Sequence, residues 1–452
     1  MSAKDAMQYR VALILFVLFV SSLTSTAQED TAKFRFDAVL RERVEIWAGM
    51  NAKNYGDDSP DAIGSLNDRI LFQRVIAGMK IKPAEQVEIA VHIQDSRAFG
   101  WSLRNSQYPD LFMVKERSTT EPFYIMNPNE EFFELYDLYV AYRDLFDRLT
   151  LKLGRQKISY GDNRIFGPGE WGNTGRWTWD ALHLSYTMDE NFVDAFIGGT
   201  KIHDPVNFSV PFLRMEYFGG GVYSHLKAGD LFAAEPFYAI KKEGSADYIR
   251  TLEILRQWLG MRLFKNDLRH FIFDLTFAHE FGRESGKPIS AFGIVAKAGY
   301  QFHSLPARPT ICIRESYASG GNNDNPKIRT FEPAFGSRDS YYGRMNVTSW
   351  SNLDDREIIL YLFPARGMKL EVSHHRFFVP APEDKTLLGT LRLGEDKHHL
   401  GDEFNVFADY QINRKMKITG AFGWFRPGDV EPVGGEPAGN TTWLSLQITY
   451  TI

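Results

Sequence analysis

Cysteine is nearly absent. Cys312 is the single one in 452 residues, which excludes an internal disulfide and any cysteine-based metal cluster. So little cysteine suits a protein exported to an oxidising compartment. A large charge imbalance is missing too: the net charge of -5 argues for neither nucleic acid nor a strongly charged partner. After residue 20 no apolar run approaches the roughly 18 residues a spanning helix needs, which excludes a helical membrane protein. No repeat of about 40–50 residues occurs, which argues against a β-propeller. Catalytic signatures are also lacking, with no G-x-S-x-G elbow and no H-E-x-x-H. The pairs His374-His375 and His398-His399 do not replace them, because strand neighbours point to opposite faces and lack spaced ligand partners. No cofactor, no metal and no catalysed reaction are expected.

What is present points elsewhere. Aromatic residues make up 14% of the chain, with 35 Phe and 37 Gly, while only 24% is charged. Many aromatics combined with a mildly polar mean hydropathy fit a transmembrane barrel, in which every second residue faces lipid. At the N-terminus, Lys4 and Arg10 precede an apolar stretch from Val11 to Val20. Small residues Ser21, Ser22, Ser25 and Ala27 follow. This charged, apolar and small-residue order predicts a secretory signal peptide over 1–27, cleaved after Ala27. The apolar stretch is too short to span a bilayer, and no cysteine follows it to carry a lipid anchor. The barrel is expected over 28–452.

Period-2 alternation in segments of about ten residues dominates from Phe34 onward. Such segments lie at 34–48, 67–82, 86–99, 131–143, 148–159, 177–187, 190–201, 217–227 and 231–242. They continue at 253–265, 269–282, 289–302, 309–318, 355–363, 367–378, 402–412, 415–426 and 441–452. The expected fold is therefore all-β: a single transmembrane antiparallel β-barrel of about 18 strands, an even number as bacterial barrels prefer. Short turns at 83–85, 188–189, 228–230 and 266–268 alternate with longer polar connections at 49–66, 100–130, 160–176, 202–216, 319–354, 379–401 and 427–440. Short periplasmic turns and long extracellular loops are the asymmetry of a bacterial outer-membrane barrel. That location makes outer-membrane lipid the first expected partner. The segment 441–452, with Leu444, Leu446, Ile448, Tyr450 and Ile452 on one face, resembles the C-terminal strand of outer-membrane proteins. Ile452 stands where such strands usually end in Phe.

Alternation also divides lipid-facing from lumen-facing side chains. In 34–48 the inward set is Arg35, Asp37, Arg41, Arg43 and Glu45. In 253–265, Leu255, Leu259, Met261 and Leu263 face lipid, leaving Arg256, Trp258, Gly260 and Arg262 inward. Segment 86–97 turns Glu88, His92, Gln94 and Ser96 inward, and 367–376 contributes Lys369, Glu371, Ser373 and His375. These charges either line a wet channel or pair into a network that stiffens the wall. Arginines gathered inward would favour a polyanion, since guanidinium grips carboxylates with two hydrogen bonds.

The stretch Leu153-Gly154-Arg155-Gln156 continues through Tyr160-Gly161-Asp162, Arg164, Gly167, Trp171, Asn173, Gly175-Arg176 and Asp180-Ala181. This order resembles the alginate export family of outer-membrane porins. The likeness is densest over 130–200, and the strand pattern extends it over the mature chain. It implies an 18-stranded monomeric barrel whose arginine-lined lumen passes an anionic uronate polymer outward, with periplasmic export components as candidate partners. It also implies Arg155, Arg164 and Arg176 as pore or loop contacts. Simple alternation places Arg155 in phase with Leu149, Leu151 and Leu153, on the lipid side. Either Gly154 marks a bulge that re-aims it, or Arg155 lies at the interface as a structural residue. Tyr160-Gly161-Asp162 and Pro168-Gly169 read as turn chemistry. The short turn near Asn413-Arg414 departs from the family's alginate exporter, which carries a longer periplasmic plug there. Loop 100–130 is a candidate lid. The expected function is a porin passing an anionic solute or polysaccharide. The rivals are a general small-solute porin, a structural or adhesive barrel using loop 319–354 (otherwise a solvated surface loop), and an outer-membrane hydrolase.

Overall fold

A computed structural model describes residues 33–49, 67–100, 113–115, 122–125, 129–203, 208–213, 215–243, 254–268, 270–321, 326–337, 341–382, 384, 393–394, 396–430 and 439–452. The signal segment 1–27 lies outside the described residues. So does most of the candidate lid 100–130, of which the short hairpin Met113–Lys115 with Pro122–Ile125 is described.

The chain forms one 18-stranded antiparallel sheet that closes on itself. Closure is made by the first strand, Phe34–Ala48, which pairs with Asn67–Ala84 on one side and with the last strand, Thr441–Thr451, on the other. Closure leaves no open edge, which a hydrocarbon environment requires because it offers no other partner for backbone amides. Among the described residues no helix is long and apolar enough to cross a membrane. Each alternating segment of the sequence recurs as a strand, with ends moved by a few residues; 402–412, for example, begins earlier, as His399–Gln411.

The facing follows the alternation. Val44 and Ile46 are exposed on the outer wall while Arg41, Arg43 and Glu45 are buried within. Leu255, Leu259 and Met261 point outward, and Arg256 and Trp258 inward. Glu88, His92, Gln94 and Ser96 are all buried. One end of the barrel carries the short turns and the other the long connections, with one exception. Strands Phe271–Glu284 and Lys287–Gln301 meet at the long-loop end through Ser285-Gly286 alone, with φ of 48° and 80°. Two successive left-handed residues are what the twist of a tight hairpin demands.

Two of the long connections differ from the expectation of extracellular, solvated loops. Residues 158–177 and the described parts of 319–352 turn back into the lumen, and Phe166, Phe331, Phe335 and Trp350 are almost wholly buried there. Apolar burial drives this, and the wall makes room for it. A Cβ on Gly221 would lie 2.4 Å from the Phe166 ring, and one on Gly293 would lie 2.7 Å from the Trp350 ring. The principal hydrophobic core therefore sits inside the barrel, between the loops and one side of the wall.

Candidate functional site

The inward arginines of the first strand grip the first loop. Arg41 donates to the carbonyls of Glu170 (2.7 Å) and Gly172 (2.9 Å) and to Asn173 Oδ1 (3.1 Å). Arg43 donates to the Trp171 carbonyl, lies 4.6 Å from the Trp171 ring centre, and pairs with Glu45 at 2.7 Å. Asn173 Nδ2 donates to three wall or loop carbonyls, those of Gln73, Arg97 and Asn129. The Glu170 carboxylate reaches Arg74 at 2.9 Å and accepts from the Tyr136 hydroxyl at 3.0 Å. Burial alone would raise its pKa, but Lys157 and Arg74 attract the charged form and bring it down to about 2.

Gly154 resolves the alternative left open at Arg155. The ladder runs without a shift through Tyr139↔Gly154 and Leu138↔Arg155, so no residue is inserted. Instead Gly154 takes φ 127°, and a Cβ there would lie 2.2 Å from the Leu138 carbonyl oxygen. Leu153 is exposed while Arg155 is completely enclosed. Its guanidinium forks onto Asp180 at 2.8 and 2.9 Å and also reaches Glu134 at 3.1 Å and the Ser209 carbonyl at 2.8 Å.

Arg164 joins the two in-folded loops. It bonds Asp162 at 2.8 Å in its own loop and the Tyr342 hydroxyl at 3.0 Å in the other, and it stacks over the Tyr341 ring at 4.2 Å. Burial raises the Asp162 pKa by itself, yet Arg164 and Arg262 hold its carboxyl below the usual range. Arg256 clamps the second loop from the wall, pairing with Glu280, Glu284 and, at 3.2 Å, Glu332. Arg176 is exposed, with its guanidinium 4.7 Å from the Trp177 ring.

Beside the loops lies a polar cavity of about 430 Å³. It brings together three of the cationic site residues expected from the sequence, Arg164, Arg262 and Lys369, with Lys297, Arg314 and Arg344. Asp162, Asp274, Glu357, Glu371 and Asp409 line it as well. Arg262 forks onto Asp274 at 2.9 and 2.6 Å and reaches Glu235 at 3.0 Å. Arg344 bonds Glu371 at 2.6 Å and stacks over Phe407 at 3.7 Å, and Lys369 reaches Glu371 at 3.2 Å and the Tyr361 ring at 4.5 Å. The cavity thus offers cationic groups held edge-on by carboxylates, with aromatic faces between them. Arg314 was within reach of alternation, since Cys312, Arg314 and Ser316 share the buried face of Thr310–Ala318. Arg344 belongs to a loop and carried no such signal.

The tandem histidines divide as expected: His374 is exposed and His375 buried. The expectation that they lack spaced partners is corrected, however. His375 has partners from the neighbouring strand, Asp355 at 3.0 Å on Nδ1 and Glu357 at 3.2 Å on Nε2. Each ring nitrogen faces a carboxylate, so the trio straps two strands together.

A family model described as alginate export matches residues 44–443. No curated protein matches the sequence. Among solved structures, OccAB3 of Acinetobacter baumannii is similar with a TM-score of 0.61 at 10% identity, covering 93% of this chain and 99% of that one. The outer membrane protein OprD of Pseudomonas aeruginosa is similar with a TM-score of 0.57 at 12% identity, covering 93% of each chain. OccK8 (OprE) of Pseudomonas aeruginosa gives a TM-score of 0.56 at 10% identity, over 93% of this chain and 98% of that one. At such identities the likeness is one of fold.

Proposed function

The chain belongs to the alginate export family of outer-membrane channels, and we propose that it conducts carboxylate-bearing saccharides, a uronate chain or its short oligomers, through the cavity beside the in-folded loops. The observation that carries this reading is the grouping of Arg164, Arg262, Lys297, Arg314, Arg344 and Lys369 around one cavity with Tyr341, Tyr361 and Phe407. Guanidinium groups match carboxylates in a planar fork, while aromatic faces suit the C–H surface of a sugar ring. Five carboxylates share the lining, so the site favours a solute that exchanges its own carboxylates for these, step by step, over one bound tightly. Weak, repeated binding is what conduction needs.

In this reading Arg164, Arg262 and Lys369 touch the solute, and Arg176 meets it at the loop surface. Arg41, Arg43 and Arg256 hold the loops, and Arg155 holds the wall. A second reading, a porin for small polar solutes, is favoured by the two loops packed into the lumen, which narrow the way for any thick polymer. Flux into liposomes separates the two. The channel is expected to pass di- and tri-uronates several-fold faster than neutral oligosaccharides of equal length, whereas equal rates would favour the small-solute porin.

A further inference from the structure

The outer wall carries a feature that passage through the lumen does not use. Near the long-loop end, one cross-strand row runs Glu315↔Arg356, Arg356↔Arg376, Arg376↔Asp402 and Asp402↔Arg426. These positions share the outward face. Their strand neighbours Arg314, Asp355, Glu357, His375, Phe377, Glu403 and Phe425 are buried. The next outward row toward the membrane centre is Ile313↔Ile358, Ile358↔His374, His374↔Phe404 and Phe404↔Trp424. The charged row therefore stands on a mostly apolar belt, at the height where the outer leaflet passes from acyl chains to headgroups.

Arg356 and Arg376 are directly opposite each other, an arrangement of like charges that destabilises a sheet unless an anion lies between or before them. The neighbouring acids, Asp402 in the row and Asp354 one outward position nearer the loops, do not fill that place. Side-chain exposure is 60% for Arg356, 56% for Arg376 and 60% for Arg426, against 15% for Asp354 and 12% for Asp402. Asp354 and Asp402 are recessed behind the guanidinium groups and set their direction. Asp354 bonds Arg356 at 2.8 Å, and Asp402 reaches Arg426 at 3.0 Å and Arg376 at 3.8 Å. Phe378 separates the two opposed groups, its ring centre 4.7 Å from Arg356 and 5.5 Å from Arg376. His399 adds a ring nitrogen 3.5 Å from Asp402. Glu315 is exposed at the far edge of the row. Immediately alongside is a groove of about 540 Å³ lined by Leu275, Ile313, Glu315, Ile358, Arg356 and Arg376.

We propose that this row is a binding site for the phosphorylated headgroup of an outer-leaflet glycolipid, whose acyl chains descend along the Ile313–Ile358 groove. Charge and shape both point to an amphiphile. Guanidinium groups held by recessed carboxylates are pre-aimed at phosphate oxygens, and the apolar rows below exclude a purely soluble anion as the complete ligand. Basic groups at headgroup level are the general means by which membrane proteins select anionic lipids.

The test uses the full mature chain, refolded and placed in nanodiscs, with native mass spectrometry counting retained lipid. The probes are a bis-phosphorylated glycolipid and the same molecule with its phosphates removed. The wild type is expected to retain one phosphorylated molecule at least tenfold more tightly than the dephosphorylated one. A triple variant, Arg356→Ala, Arg376→Ala and Arg426→Ala, should lose that preference while keeping heat-resistant gel mobility and unchanged channel conductance. Lys242→Ala, an exposed cation on the outer face elsewhere on the same rim, should keep the preference. Equal retention of the two lipids, or an unaltered preference in the triple variant, overturns the proposal. Displacement of the lipid by millimolar inorganic phosphate overturns it as well, since that would make the row an anion site without a lipid component. Should the triple variant not fold, Arg376→Ala alone is read for the same preference.

Discussion

Phe166 and Phe335, from two separate loops, stack inside the barrel with ring centres 6.1 Å apart and planes 15° from parallel. Main-chain hydrogen bonds of 2.9 Å flank them, Gly167 N to the Phe335 carbonyl and Phe335 N to the Ile165 carbonyl. The two loops are thus a single packed body, tied to the wall by side chains and, at Ile328, by main-chain hydrogen bonds of 2.9 Å to Pro288 and Ser290, while the wall is held by its own ladder. Phe335→Ala should therefore loosen the loops without opening the barrel. A buried Phe→Ala change costs about 3–5 kcal/mol where packing is complete. Here the loss is expected as larger and noisier single-channel currents, with unchanged β-sheet content by circular dichroism.

Arg155 should act in the opposite way, through folding. Removing one partner of a buried ion pair leaves the other charge without compensation and costs roughly 3–5 kcal/mol. Arg155→Ala leaves both Asp180 and Glu134 in that position. Urea unfolding in detergent should show the midpoint falling well below that of the wild type, with Arg155→Lys recovering only part of it because Lys cannot fork.

Gly154→Ala tests the backbone that aims Arg155. The left-handed φ and the close Leu138 carbonyl both oppose a Cβ, at a cost of roughly 1–3 kcal/mol. The same unfolding assay reads it, and a variant as stable as the wild type would remove the special role of Gly154.

Glu170 gives the first loop a pH dependence. Its pKa in the folded protein, about 2, lies below the usual glutamate value of about 4.3. The carboxylate's contribution is therefore complete above about pH 4.3 and fades as the pH falls toward 2. Current noise and protease access to residues 160–176 should rise over that window and stay flat from pH 5 to 8. Glu170→Gln should abolish the step.

How much of this was legible beforehand depends on what alternation records. It records facing, so it turns Arg41 and Arg256 inward and Leu255, Leu259 and Met261 to lipid, as the barrel has them. A single glycine dihedral can interrupt it without changing composition, which is why Arg155 stood ambiguous until Gly154 was seen at φ 127°. Loops have no period at all. Phe331, Phe335 and Trp350 lie scattered among polar residues, with no spacing that marks a buried face. Arg344 reaches the cavity by the same route, through a loop whose course the sequence does not encode locally. The outward arginines at 356, 376 and 426 were equally invisible, because their meeting depends on register between strands distant in sequence.

Conduction of carboxylate-bearing saccharides past the arginine-framed cavity can be read by single-channel recording in a planar bilayer. Steady openings blocked in a concentration-dependent way by added polyuronate are expected, with the block weakened at least tenfold by Arg344→Glu together with Arg262→Glu. Openings indifferent to polyuronate, or block unchanged in that variant, would contradict the account.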